Sequence, residues 1–336
     1  MIVLGKPVLC LGIESTAHTF GVSVASSDGA ILEDVTEVYK PAPGAGIHPR
    51  DAAQHHSEVA ARVVSAALEG AGVRPRQIGV VAFSMGPGLG PVLRVGATVA
   101  RALAHYLKRP LVGVNHAVGH IEIASLTTGA KDPLVVLVSG GHTALAAFSQ
   151  GRWRIFGETE DITVGNLFDM FAREIGYGSP GGGVIEEFAS RGSRYVDLPY
   201  TVKGNDVAFS GLLTAAVRRV REGAEVSDVC FSLQEVAFAM LTEAAERCLA
   251  HIEKRELLLT GGVAANKRLQ AMMKVIAKEH DARFEVVEKR FSADCGAQIA
   301  WTGTLAYSAG ETVRIDESSV RPRWRLDMVE IPWREG

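Results

Sequence analysis

Two histidines at i and i+4 stand in the stretch Asn115-His116-Ala117-Val118-Gly119-His120. On a helix, side chains four apart share one face, one turn apart, and that spacing suits two imidazoles on one metal ion. A metal takes more than two ligands. Asp294, in Phe291-Ser292-Ala293-Asp294-Cys295-Gly296, is a candidate third. It is also placed to cap the helix that follows, because a carboxylate accepts the free N–H groups of a helix start. Cys295 is a ligand on paper, but a lone cysteine of this kind more often packs in a core. His48, His55, His56 and His142 have no ligand spacing of their own, and spacing alone assigns them structural roles.

A second chemistry is written in three small-residue turns, each after an apolar run: residues 14–16, 139–143 and 260–263. Glycine lets backbone come close to a phosphate, and exposed N–H groups bind anions. A fourth cluster, residues 86–91, reads instead as a tight strand-to-helix connection in which backbones pack closely.

The elements that must carry these turns repeat. An apolar run at 8–13, a polar turn, a second run at 20–25 and the Asp28-Gly29 hairpin signal lead into Ile31. The same grammar returns at 134–138, 144–148 and 153–156, about 125 residues later, which marks an internal duplication. Helical periodicity predicts helices over 51–69, 91–107, 166–175, 234–252, 264–278 and 296–307, with a strand at 257–259. Strands alternating with helices make the class α/β. The predicted division is a first lobe of residues 1–132, completed by 301–336, and a second lobe of 133–300 carrying the nucleotide-binding turns.

The 336 residues are 47% hydrophobic and 22% charged, ordinary for a globular chain of two domains. The net charge of −3 excludes a uniformly basic nucleic-acid binder. Local basic candidates are Arg218, Arg219 and Arg221, and Arg321, Arg323 and Arg325, each equally readable as a solvated face. Cys10, Cys230, Cys248 and Cys295 are scattered with no CxxC pair, which predicts reduced thiols. With no apolar run long enough for a membrane span and no secretory signal, a cytoplasmic location with no membrane partner is expected.

At this point the motifs become specific. LGIESTAHT from Leu11, HPRDAAQHH from His48, GPGLGPVLRVGATVARALA from Gly86 and NHAVGH from Asn115 run in order. LVSGGHT from Leu137, the stretch from Gly165 through GYGSPGGGVIEEFA, FSGLLTA from Phe209, LLTGGVAANKRL from Leu258 and FSADCGAQIA from Phe291 follow. Nearly end to end, this sequence is similar to the TsaD/KEOPS catalytic-subunit family, the tRNA N6-adenosine threonylcarbamoyltransferases once described as O-sialoglycoprotein endopeptidases. The resemblance implies a two-lobed actin/Hsp70/sugar-kinase-like fold with duplicated βαβ-type lobes. It implies one divalent metal ion, iron or zinc, on His116, His120 and Asp294. It implies contacts from Leu137, Val138, Ser139, Gly140, Gly141, Asp169, Gly182, Glu186 and Asn266 to an adenine nucleotide: threonylcarbamoyl-AMP, ATP or AMP. The implied acceptor is tRNA. The implied partners are KEOPS-type subunits including a small kinase, or bacterial-type accessory subunits. Two departures stand out: Leu137 replaces a tyrosine that some members use as a further ligand, and Cys295 replaces the usual asparagine.

Alternative readings remain for several positions. Asp169 can pair with Arg173 one turn on, and Glu186 can sit on a solvated helix face. A small-molecule kinase of the same superfamily would share the turns without needing the histidine pair. A metalloprotease needs a glutamate inside that pair, where this sequence has Ala117, Val118 and Gly119.

Overall fold

The computed structural model describes residues 7–41 and 46–334. Residues 1–6, 42–45 and 335–336, all within the expected first lobe, lie outside the described residues. In chain order the first half is β1 (Leu9–Glu14), β2 (Thr19–Ser26), β3 (Ile31–Val38), α1 (Pro49–Gly70), β4 (Val80–Gly86), α2 (Gly90–Leu107), β5 (Leu111–Asn115) and α3 (His116–Thr128). The second half is β6 (Leu134–Val138), β7 (Thr143–Ser149), β8 (Arg152–Glu158), α4 (Val164–Glu174), α5 (Gly182–Ala189), β9 (Val202–Lys203), β10 (Asp206–Val207) and α6 (Ser210–Arg221). It continues through α7 (Val226–Ile252), β11 (Glu256–Thr260), α8 (Lys267–Glu279), β12 (Arg283–Val286) and α9 (Gly296–Ser308).

The duplication read from the hydrophobic runs is a duplication of topology. One sheet is ordered β3-β2-β1-β4-β5 and the other β8-β7-β6-β11-β12. In each, an antiparallel meander of three strands is extended by two parallel strands. The central strands β1, β4 and β6 are almost wholly buried, as strands covered on both faces must be. Helix α9 lies flat on the first sheet because small residues meet: a Cβ on Gly12 would stand 2.1 Å from the Ala300 backbone nitrogen.

Three sequence expectations shift. Helix α7 begins at Val226 rather than Gln234, since Val229, Cys230 and Leu233 continue its buried face. Helix α8 begins at Lys267, because Asn266 caps it by accepting from the Arg268 and Leu269 N–H groups. Residues 262–265 form a single tight turn before it. Asp294 does not cap α9. The cap is Asp34 on β3, whose Oδ1 accepts from the Ala297 N–H at 2.8 Å, 263 residues away in the chain. The cluster at Gly86 is a close-packed connection as expected: at φ 153° a Cβ on Gly86 would strike the Arg321 carbonyl.

The C-terminal segment crosses from one sheet to the other. Val313 bridges Leu111, and Arg101 holds Ser318 on the first-sheet side. Arg325 pairs with Glu158, Ile331 bonds the Gly151 carbonyl, and Arg334 grips Glu122 through two bonds of 2.8 Å each. Glu122 is almost completely buried. Removing one partner of such a pair leaves a buried charge uncompensated. Arg334→Ala should therefore cost about 3 kcal/mol in denaturant unfolding, and a loss below about 0.5 kcal/mol would show the strap to be ornamental.

Burial lifts the Asp34 carboxyl from 3.8 to about 6, with Glu33 adding to it and the α9 N–H groups and Arg290 opposing it. Between those two values the folded chain keeps a proton that the unfolded chain has released, so this residue's stabilisation is present at low pH and is lost as pH rises through about 6. Asp34→Asn keeps the cap and removes the titration. The stability of the variant minus that of the wild type, from urea melts, should grow by on the order of 1 kcal/mol between about pH 4 and about pH 7. A flat difference rules the buried proton out.

Candidate metal centre and nucleotide turns

Asn115 closes β5 and caps α3 by accepting from the Ala117 and Val118 N–H groups. That cap starts the helix at His116, so His116 and His120 project from its first turn and a half toward one point. Asp294, in the connection before α9, meets them there. Its Oδ1 lies 3.2 Å from His120 Nε2 and 3.5 Å from His116 Nε2. The three ligand atoms lie within 4.8 Å of one another, both histidines are buried, and Asp294 is half-buried. The imidazole rings stand edge to face at 4.7 Å.

What aims His116 is a residue that the motif reading left inside a turn. Glu14, at the buried end of β1, places Oε2 3.0 Å from His116 Nδ1. Its other oxygen accepts from the Thr16 N–H at 2.7 Å and from the Thr16 hydroxyl. The Gln298 amide lies 3.0 Å from the same imidazole nitrogen. A carboxylate accepting at Nδ1 holds a proton there, so Nε2, facing Asp294, is the nitrogen that gives up its proton when a cation binds. Burial alone would lower His116, but the Glu14 and Asp294 charges outweigh it and hold the imidazole up at about 9. Burial lowers His120, and the nearby His116 charge adds to that. Asp294, which burial would raise, is held well below the usual carboxylate range by His116 and His120. His120 Nδ1 is buried with no hydrogen-bond partner. Two imidazoles presenting Nε2 to a shared carboxylate form a donor set that fits a divalent ion of the iron or zinc kind. His142 adds a third ring, 6.2 Å from His116 and nearly parallel to it, with its own Nδ1 unpartnered.

Of the expected nucleotide residues, Ser139, Gly140 and Gly141 form the turn between β6 and β7. The Ser139 hydroxyl accepts from the Gly141 and His142 N–H groups. No atom lies within 4 Å of where a Cβ would stand on Gly140, Gly141, Gly182 or Gly262. Leu137 and Val138 are buried within β6, so their side chains serve the core. Asp169 does not pair with Arg173: it accepts from the Ser179 hydroxyl and the Gly181 N–H, building the loop that leads to Gly182. Glu186 accepts from the Lys267 N–H beside Asn266, so these two positions meet at the start of α8. Asn266 also donates to Gln234 and is largely used as a cap. The turns at 139–141 and 261–266 abut, because a Cβ on Gly261 would stand 2.3 Å from the Val138 carbonyl. The Thr260 hydroxyl bonds the His120 carbonyl and ties this group to the histidine helix.

The first turn, at 14–16, is not a phosphate cradle. The Ser15 N–H is bonded to the Ser84 hydroxyl and the Thr16 N–H to Glu14, and the buried acid there repels anions. The basic candidates are paired too: Arg218 and Arg219 with Glu222, Arg221 with Glu174, and Arg325 with Asp327 and Glu158. Arg321 lies over Trp324. Glu122, two residues beyond His120 in the chain, is locked by Arg334 and is no hydrolytic base. All four cysteines are free and buried, and burial pushes Cys10 and Cys230 up to about 12. Among the described residues no helix is long and apolar enough to cross a membrane.

Glu14→Gln keeps the shape but weakens the acceptor at Nδ1. It should lower divalent-metal affinity about 10- to 100-fold in a chelator competition, read on variant protein that still melts cooperatively. Unchanged affinity would remove Glu14 from the centre.

Comparison with known proteins places this geometry. The sequence profile of the TsaD family, tRNA N6-adenosine threonylcarbamoyltransferase, matches residues 30–301. The chain is 53% identical over 326 residues to the tRNA N6-adenosine threonylcarbamoyltransferase of Caldivirga maquilingensis, covering 97% of this chain and 98% of that one. It is 51% identical to a probable bifunctional tRNA threonylcarbamoyladenosine biosynthesis protein of Methanocaldococcus jannaschii, covering 97% of this chain and 60% of that longer one. Among solved structures it is similar to T. kodakarensis HypF, with a TM-score of 0.65 at 13% identity over 93% of this chain and 49% of that one. Component A of the Acidaminococcus fermentans (R)-2-hydroxyglutaryl-CoA dehydratase gives 0.57 at 11% over 90% and 99%. At such identities the likeness carries the fold, the two-lobed actin/Hsp70/sugar-kinase-like class. With a profile match over most of its length and relatives at about half identity end to end, the chain belongs to the tRNA N6-adenosine threonylcarbamoyltransferase family.

Proposed function

We propose that this chain transfers the threonylcarbamoyl group of threonylcarbamoyl-AMP to N6 of the adenosine just 3′ of the anticodon, in tRNAs that read codons starting with A. Family membership supports the reaction. The observation that carries the site assignment is the meeting of Asp294 with His116 and His120, on a helix tied through Thr260 to the abutting turns at 139–141 and 261–266.

The adenosine amine is a poor nucleophile because its lone pair is delocalised into the ring. In the transfer an N6–carbon bond forms and the carbon–oxygen bond to the AMP phosphate breaks. AMP departs as the phosphate anion, and one N6 proton is released. When bound on His116, His120 and Asp294, an iron or zinc ion supplies Lewis-acid polarisation of the acyl oxygen. Glu14 keeps His116 in the tautomer that can ligate. The open face of the turn at Ser139, Gly140 and Gly141 would receive the adenylate phosphate with the Gly140 N–H as donor, since the Ser139 and Gly141 N–H groups are bonded within the turn. The loop built by Asp169, with Gly182, Glu186 and Asn266, forms the frame for the nucleoside. Fixed placement of both reactants supplies much of the remaining acceleration.

The reading takes a lobe of residues 1–132 and a lobe of 133–300 with the reaction between them, but the C-terminal segment 301–336, expected to complete the first lobe, contacts both. Because the net charge is −3 and most candidate arginines are paired, partner subunits would supply part of the basic surface that tRNA needs. These would be of the KEOPS type, with a small kinase, or of the bacterial accessory type.

His120→Ala should lose the metal and lower transfer to an anticodon stem-loop by at least about 100-fold, as would chelation of the wild type. Metal-free protein that transfers at the full rate would overturn the role of the centre.

A further inference from the structure

A cavity of about 270 Å³ opens between the first sheet and the loop that links α4 to α5. None of the residues expected to hold the donor nucleotide lines it. One wall is His18, Tyr39, Lys40 and Ile47 from the first sheet and the segment after β3, and the other is Ser179 and Pro180 from the loop between α4 and α5. His18 lies in the β1–β2 turn with Thr16, whose hydroxyl stands 3.4 Å from His116 Nδ1. Ser179 bonds Asp169, so the opposite wall belongs to the loop that frames the expected donor pocket. The cavity therefore shares one wall with the metal centre and the other with the donor site.

We propose that this cavity receives the acceptor adenosine of the tRNA, flipped out of the anticodon loop. The inference rests on the transferase reading. An enzyme acting on a nucleobase must take the base out of its stack, and it commonly holds it against aromatic and apolar faces. Tyr39 supplies such a face. It is half-buried, its backbone N–H is fixed by the His18 carbonyl at 2.7 Å, and its ring leans on His55 at 5.9 Å. Ile47 and Pro180 supply apolar surface across from it. Lys40, exposed at the rim, is placed for the phosphate of the flipped nucleotide. A base seated here lies against the turn that, through Thr16 and the neighbouring Glu14, contacts His116.

The test uses the chain with the subunits that support transfer, and unmodified anticodon stem-loops. Tyr39→Ala should raise the KM for the stem-loop roughly 5- to 100-fold, as expected for the loss of one stacked base. Tyr39→Phe should restore it. The KM for threonylcarbamoyl-AMP and the bound metal should stay at wild-type values in both. Lys40→Ala should weaken all stem-loops alike and reduce the salt slope of binding by about one. A second measurement needs no variant: a stem-loop with a photoreactive adenosine at the acceptor position should crosslink to the peptide containing Tyr39. An unchanged stem-loop KM in Tyr39→Ala, a rise in the donor KM instead, or a crosslink mapping elsewhere overturns the assignment. A wild type that binds and crosslinks the stem-loop but transfers nothing would leave the pocket standing and sink the transferase reading.

Discussion

A carboxylate with no solvent-exposed surface, Glu14, governs the centre. Burying a charge is costly unless it is paired and fully hydrogen-bonded. Glu14 meets that condition with the Thr16 N–H and hydroxyl on one oxygen and His116 on the other. The partners come from β1, its following turn and α3, and Gln298 on α9 closes the group. Satisfying one buried acid thus registers the first sheet, the histidine helix and the last helix against each other. The metal ligands inherit that registration, because His116 is itself a member of the network and Asp294 lies just before α9.

The two halves share a topology and have diverged in their turns. After β6 the chain makes an open turn whose glycines face free space. After β1 the matching turn is filled by an acid and its donors are consumed internally. The turn after β6 leaves its glycines open, and the turn after β1 orients His116. This division of labour is electrostatically coherent, since an acid that holds an imidazole would repel a phosphate in the same turn.

The C-terminal strap links the sheets outside the centre. Its contacts alternate between the two sides, from Val313 on β5 to Arg325 on β8 and Arg334 on α3. The Glu122–Arg334 pair explains why an acid close to the histidines takes no part in their chemistry. The same neutralisation operates over the arginine clusters, so a tally of basic residues in the sequence overstates the positive surface the fold presents.

The strand and helix order, the duplication, the histidine pair and the glycine turns were all legible in the sequence. Local hydrophobic period and local residue type determine them, and so many motifs in order match one family. The sequence could not reveal which groups become partners across long separations. Asp34 rather than Asp294 caps α9, Glu14 turns from a loop residue into the orienter of His116, and Asp169 builds a loop instead of pairing along its helix. A lone acid at the end of an apolar strand was the only local trace of Glu14's role. Periodicity and propensity act over a few residues, so the chain determined its own elements and turns. The pairing of buried charges depends on which elements pack together, and that only the tertiary structure decided.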